Sequence, residues 1–192
     1  MLPRRFYDRD AQVVAPELLG KLLIDRSGDE VVSARLIEVE AYRGAEDPGS
    51  HAYRGPTRRN ASMFERPGTL YVYFIYGMHW CMNAVCGPAA QPHAVLLRAA
   101  VPIEGIDTIR ARRGAARRDR ELLSGPARLT EAFGIDGTRD GNDLIAGPLQ
   151  IVDDGTPPPT ATITTRIGLG HARGEDLLLR YTVAATATEA EQ

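Results

Sequence analysis

Glu40 stands among residues able to hold a flat ring and act on it. The segment Leu36-Ile37-Glu38-Val39-Glu40-Ala41-Tyr42 is followed by His51, Tyr71, Tyr73, Tyr76, Asn83 and Arg98. A carboxylate in an apolar pocket has a raised pKa and serves as a base near neutral pH. The plainer alternative is a glutamate on the solvent face of an amphipathic strand, which periodicity alone favours. Glu38 shares the face of Glu40, so the pattern does not choose between the two acids. Tyrosines presenting their faces stack on bases and hold a cationic ring better still. They also serve as ordinary β-core aromatics with hydroxyls reaching water. The core reading suits Tyr71 best. It suits Tyr76 least, because Tyr76 adjoins the turn glycine Gly77.

Other constellations are weaker. His79, Cys81, Cys86 and His93 do not follow a usual zinc spacing, so no metal is expected, and no cofactor. His51 is a loop surface residue or a pocket wall. His171 lies in the turn Gly168-Leu169-Gly170-His171, which lacks the pattern of a phosphate loop. No Gly-x-Ser-x-Gly nucleophile elbow occurs.

The net charge of −2 conceals an asymmetry. Residues 51–120 carry eleven Arg against four acids, and residues 121–192 carry five Arg against eleven acids. The middle of the chain is therefore suited to a polyanion, although a solvated charged helix near 106–120 explains part of the excess. The chain has 22 Arg and a single Lys, Lys21. A Schiff-base mechanism has few amines to draw on. The two cysteines are expected as thiols in a reducing cytosol. No window reaches the roughly 18 apolar residues of a membrane span. The basic N-terminus has no apolar run behind it, so no secretory signal is expected.

The elements that must position these groups can be read coarsely. Asp10–Leu19 is helical, with Pro16 splitting it or opening its second turn. Residues 31–42 form a strand with Glu38, Glu40 and Tyr42 on one face. Residues 43–68 are a long Gly-, Pro-, Arg- and Asn-rich loop. Strands follow at 69–76 and 79–86, joined by a hairpin with Tyr76 near its tip. A strand over 94–101 precedes a helix over Glu104–Arg113, with Glu104 in its first turn. A second helix begins with Pro126 at its first position. Strands near 148–152, 162–168 and 177–183 complete the chain, with a turn or linker at 156–159. Residues 184–192 are expected as a flexible tail. All 192 residues are expected to form a single domain.

One ordered string ties these pieces together. It runs Ile37-Glu38-Val39-Glu40-Ala41-Tyr42, the Asp47 to His51 loop, Arg59-Asn60, Met63-Phe64 and Pro67-Gly68-Thr69-Leu70-Tyr71-Val72-Tyr73. It continues with Tyr76-Gly77-Met78, Cys81-Met82-Asn83, Val95-Leu96-Leu97-Arg98-Ala99 and Ser124-Gly125-Pro126. The string resembles the alkyladenine (3-methyladenine) DNA glycosylase family, the single-domain type also found in mammals, from about residue 6 to about 183. The resemblance implies an α+β fold, a single compact domain with a curved antiparallel sheet flanked by helices. It implies that Glu40 is the general base acting on a water, with Arg98 as its neighbour. Tyr42, His51 and Tyr73 look like the walls around a flipped-out base, and the backbone near His51 would read the base edge. Asn83 looks like the gate against the exocyclic amine of guanine, and Tyr76 like the wedge in the duplex. Arg58, Arg59 and Tyr71 are the candidate contacts to the DNA backbone. The 86–94 loop looks longer than in the mammalian enzymes.

The chemistry implied is removal of alkylated or deaminated purines from damaged double-stranded DNA by a monomer in the cytoplasm. Alkylation at N3 or N7 puts positive charge on the purine and weakens its glycosidic bond. Such a base leaves without an acid, so one carboxylate suffices where sugar hydrolases need two. A tyrosine cage prefers the cationic ring by roughly 0.5–2 kcal/mol, and damaged bases also unstack more easily. Neutral lesions such as hypoxanthine need leaving-group help that the sequence does not display. The scarcity of lysine argues for hydrolysis by water and against a strand-nicking lyase step.

Two rivals share the residues. A non-catalytic single-strand binding module explains the aromatics and arginines, but not carboxylates amid a phosphate-binding face. A sugar hydrolase would use Glu38 and Glu40, which strand rise places about 6.5–7 Å apart, but it leaves the arginine excess unexplained.

Overall fold

The computed structural model describes residues 1–88, 91–169, 174 and 176–183. The expected tail at 184–192 and His171 lie outside the described residues.

Asp10 opens the principal N-terminal helix. Its side chain accepts a hydrogen bond from the Gln12 N–H at 2.8 Å, which satisfies one of the free donors at a helix start. A one-turn helix α1 (Arg4–Tyr7) precedes this helix, α2 (Ala11–Leu18). Ala11, Val14, Ala15 and Leu18 recur at helical spacing and are all buried. Pro16 lies inside α2 without splitting it.

Among the described residues eight strands follow: β1 (Leu22–Asp25), β2 (Val32–Tyr42), β3 (Leu70–Ile75), β4 (His79–Cys86), β5 (His93–Glu104), β6 (Leu149–Val152), β7 (Thr162–Thr164) and β8 (Arg180–Thr182). They form one curled antiparallel sheet in the order β3-β4-β5-β2-β1-β6, with β8 beside β2 and β7 beside β8. Helices α3 (Ile106–Arg112) and α4 (Pro126–Ala132) complete the α+β arrangement. As expected, Pro126 opens α4 at its first turn, where its missing N–H costs nothing.

β2 is the spine of the site. β5 runs along one edge of it, while β1 pairs with its first half and β8 with Glu38–Glu40 on the other edge. Glu40 therefore sits between Leu96 of β5 and Arg180 of β8. The β2–β5 register shifts on either side of Glu38, and such bulges re-aim side chains next to active sites. The other hairpin ends at the pair Ile75–His79, leaving Tyr76-Gly77-Met78 as its tip. Tyr76 adopts φ +54 and is 77% exposed. A non-glycine residue in the left-handed region is strained by about 1–3 kcal/mol.

The main core packs α2, the sheet and α4 around residues such as Leu18, Leu36, Leu97, Leu129 and Phe133. A small second cluster of Ala52, Met63, Tyr71, Val85 and Ala94, with Tyr73 against it, sits beneath the aromatic face. Burying a large apolar side chain stabilises by roughly 1.5–3 kcal/mol, so both clusters hold the sheet face rigid.

Four expectations are corrected. Glu104 belongs to β5, paired with Ser33, and not to the first turn of α3. The helix begins only after Gly105, whose φ is +72 and whose missing Cβ would lie 2.6 Å from the Val31 carbonyl oxygen. The stretch 43–68 is not a bare loop, because 3-10 turns form at Gly44–Glu46 and Arg58–Phe64. A reciprocal cap between Thr57 and Asn60 starts the second of them. The last strands are shorter than expected, ending at Thr164 and spanning only Arg180–Thr182. β1 and α1 were not expected, because each is a short segment without a period of its own.

Candidate active site

A cavity of about 490 Å³ is lined by Tyr42, His51, Tyr71, Tyr73, Asn83 and Arg98 among others. That volume is typical of a site for a small ring-bearing ligand, roughly 300–1,000 Å³. Arg59, Tyr76, Pro126-Ala127 and Ile167-Gly168-Leu169 also line it. Arg58 is exposed and does not line the cavity.

Glu40 is fully buried, with 0% exposure. The solvent-face alternative is thereby excluded. It does not itself line the cavity, but its three partners do. Its Oε1 accepts the Ile167 N–H at 2.8 Å, and its Oε2 accepts the Tyr42 hydroxyl at 2.9 Å. Arg98 Nη1 lies 3.2 Å from the same Oε2. Burial pushes the Glu40 carboxyl above the ordinary range, against the opposing pull of Arg98, the Ile167 N–H and the Tyr42 hydroxyl.

Glu38 has the opposite environment. Its Oε1 accepts from Arg98 Nε at 2.7 Å and from Arg180 Nε at 2.8 Å. Burial would raise its pKa, but the bonds and charges of Arg180 and Arg98 outweigh that and hold it below the ordinary range. A carboxylate so held, between two guanidiniums, is an anion and not a proton donor. Arg180, 142 positions from Glu38 in the chain, carried no signal in the sequence.

The aromatic wall is organised by contact. Tyr71 and Tyr73 stack with centroids 5.5 Å apart and an interplanar angle of 28°. The His51 ring meets Tyr73 edge-on at 4.6 Å, and its Nδ1 lies 2.9 Å from the Tyr71 hydroxyl. Tyr71 is buried, as the core reading expected, yet it also reaches the cavity. Burial drives the pKa of Tyr42, Tyr71 and Tyr73 upward, so all three stay neutral phenols. Asn83 is 3% exposed and donates from Nδ2 to the Tyr71 carbonyl at 3.1 Å. That bond assigns its Oδ1 as the free end of the amide.

Asn60 holds the loop that carries His51, donating from Nδ2 to the His51 carbonyl at 2.8 Å. Arg59 donates to the Phe74 carbonyl at 2.8 Å, tying the same loop to the hairpin. Ser124-Gly125 comes to Arg98 through the Gly125 N–H, which donates to the Arg98 carbonyl at 3.0 Å. Cys81 and Cys86 are free thiols. Among the described residues no group of His, Cys, Asp and Glu is placed to hold a metal ion.

The segments brought together here are the ones that carry the family string. Residues 5–187 match the family model described as methylpurine-DNA glycosylase (MPG). The chain belongs to the methylpurine-DNA glycosylase family. It is thus a DNA glycosylase, a hydrolase of N-glycosyl bonds with a role in base excision repair. Among its relatives, a protein of Burkholderia lata is 51% identical over 95% of this chain and 87% of its own length. One from Streptomyces avermitilis is 52% identical over 82% of this chain and 75% of its own length. One from Carboxydothermus hydrogenoformans is 44% identical over 94% of both chains. All three carry the provisional name 3-methyladenine DNA glycosylase.

Proposed function

We propose that this glycosylase flips alkylated purines such as 3-methyladenine out of damaged double-stranded DNA into the aromatic cavity. The observation that carries the reading is Glu40, wholly buried behind three groups that line a cavity of purine size. Glu40 acts as the base that takes a proton from the attacking water. Arg98 makes the longest of the three contacts with Glu40; a small movement of its Nη1 admits the water between them. As the glycosidic bond breaks, positive charge grows on the sugar, and a nearby carboxylate favours that charge. The purine leaves with the bonding electron pair, neutralising its own alkylation charge, so no acid is required.

Tyr42, His51 and Tyr73 hold the base, and the Asn83 amide crowds an exocyclic amine of guanine. Tyr76 enters the helix in place of the flipped nucleotide. Its strained, exposed position at a hairpin tip suits a wedge and suits nothing in the core. Arg58, Arg59 and Tyr71 serve the phosphate backbone, Arg58 from outside the cavity and Tyr71 only through His51. Deaminated purines are poorer substrates, because their leaving group is neutral. The enzyme works as a single domain over 1–192, as a monomer, in the cytoplasm. No described helix is long and apolar enough to cross a membrane.

A pure binding module has no use for a buried carboxylate of raised pKa held directly behind the wall of its groove. The test is release of free base from duplexes carrying one methylated, etheno or deaminated purine, against undamaged duplex. Release from the methylated duplex first is expected, with binding that weakens steeply as salt rises. No release from any duplex refutes the reading.

A further inference from the structure

Tyr42 has a second charged neighbour, which the chemistry above leaves unused. Arg166, just past β7, places its guanidinium carbon 4.6 Å from the centroid of the Tyr42 ring. Its side chain is 0% exposed, and it does not line the cavity that Tyr42 lines. The guanidinium therefore stands behind the ring, on the side away from a bound base. Nη1 and Nη2 grip the two oxygens of Asp47 at 2.5 and 2.7 Å. They also donate to the carbonyls of Ala41 and Gly174 at 3.0 and 3.2 Å. Asp47, itself 1% exposed, accepts the N–H groups of Arg43 and Gly49 at 3.1 and 2.9 Å.

A bare cation behind the wall would oppose a cage that takes a positively charged base. The stacked base would lie about 8 Å from the guanidinium, where two unit charges inside a protein still repel appreciably. The ring between them does not screen that repulsion. Asp47 is the carboxylate held directly against Arg166, in a bidentate pair buried from water, so salt does not do its work for it. We infer that Asp47 is a specificity-determining residue: by neutralising Arg166 behind Tyr42, it lets the cavity accept cationic purines. Arg166 supplies rigidity to the wall, and Asp47 removes the charge penalty that this rigidity brings. The inference rests on the reading of Tyr42 as the wall against which the base stacks.

The alternative is that the pair merely braces the turn leading to His51. Bracing predicts equal losses for charged and uncharged bases, whereas charge balance predicts unequal ones. The experiment uses Glu40→Gln protein, which cannot complete excision on the reading above. It measures affinity for duplexes carrying 7-methylguanine and its uncharged, isosteric 7-deaza-7-methyl analogue. The readout is the preference for the charged base over its analogue. Adding Asp47→Asn is expected to lower that preference roughly ten- to thirtyfold. Adding Arg166→Gln as well is expected to restore it, although the ion pair is then gone entirely. A preference unmoved by Asp47→Asn, or as low in the double replacement as in the single one, overturns the inference.

If Asp47→Asn alone does not fold, Arg166→Gln alone leaves a carboxylate behind the ring. It must then prefer the charged base more strongly than the double replacement does, and equal preferences overturn the inference. Glu40→Gln protein that binds neither duplex better than undamaged DNA contradicts the reading of the cavity itself, and the inference with it. Intact lesion binding with an unmoved preference contradicts the inference alone.

Discussion

Glu38 and Glu40 lie two residues apart on β2 and both touch Arg98, yet they are held in opposite states. Arg98 Nε and Arg180 Nε fix Glu38 as an anion. Burial makes Glu40 the carboxylate that resists ionisation. One guanidinium thus ties the two acids together, with Nε on Glu38 and Nη1 on Glu40. Pairs of acids driven apart in this way commonly mark the residue that does acid–base work.

The Glu38 anchor makes a directional prediction. The negative charge of Glu38 helps hold the Glu40 pKa up, and Glu38 also keeps Arg98 from turning fully onto Glu40. Glu38→Gln should therefore lower the Glu40 pKa and shift the acid limb of base release to lower pH. The rate at the plateau should fall roughly tenfold from misplacement of Arg98. A limb that stays in place separates Glu38 from Glu40 and contradicts the coupling.

Removing Arg98 should do the reverse. A base must be ionised to act, so activity is lost as pH falls through the Glu40 pKa, which lies above the ordinary glutamate value. Arg98 opposes that upward shift. Arg98→Leu should move the acid limb to higher pH and narrow the active range. Single-turnover rates across a pH series measure both shifts, and limbs moving in the same direction for the two variants contradict the arrangement.

Tyr76 should matter only where a stack must be filled. Tyr76→Ser is expected to reduce release from duplex by at least about tenfold, in line with stacking worth roughly 1–3 kcal/mol. Release from single strands should change far less. Stability should hold, because Tyr76 is exposed and serine at φ +54 keeps the same backbone strain. Equal losses on the two substrates rule out the wedge.

Asn83 is tied to the Tyr71 carbonyl in a buried position. Asn83→Ser should leave excision of methylated adenine nearly intact and raise release of guanine bases, since the shorter side chain makes room for an amine. Competition between the two lesions in one reaction measures the ratio. An unchanged ratio means that Asn83 does not select.

Much of the site was legible because the chemistry clusters along the chain. Glu40 and Tyr42 share a strand whose alternation is visible, and the Tyr71 and Tyr73 face follows from β-branched and aromatic content. Gly77 marked the turn that exposes Tyr76. What was not legible is what reaches across the fold. Arg166 and Arg180 find Asp47 and Glu38 over separations of 119 and 142 residues, and no local period encodes such pairs. The Ile167 N–H that holds Glu40 is a backbone group, invisible in side-chain chemistry. Glu104 was misplaced because an acid before a helical run resembles a first turn, while strand pairing with Ser33 and the φ of Gly105 decided otherwise. The reciprocal cap between Thr57 and Asn60, three residues apart, starts the second of the two turns inside the long loop.

The proposed role of Glu40 in activating water for release of a flipped purine is tested by single-turnover base release from a duplex with one methylated purine, comparing the parent with Glu40→Gln at equal duplex binding. Release by the parent is expected, with at least about a hundredfold slower release by the variant and binding retained. Release by Glu40→Gln at the parental rate would contradict it and return the catalytic role to another group in the cavity.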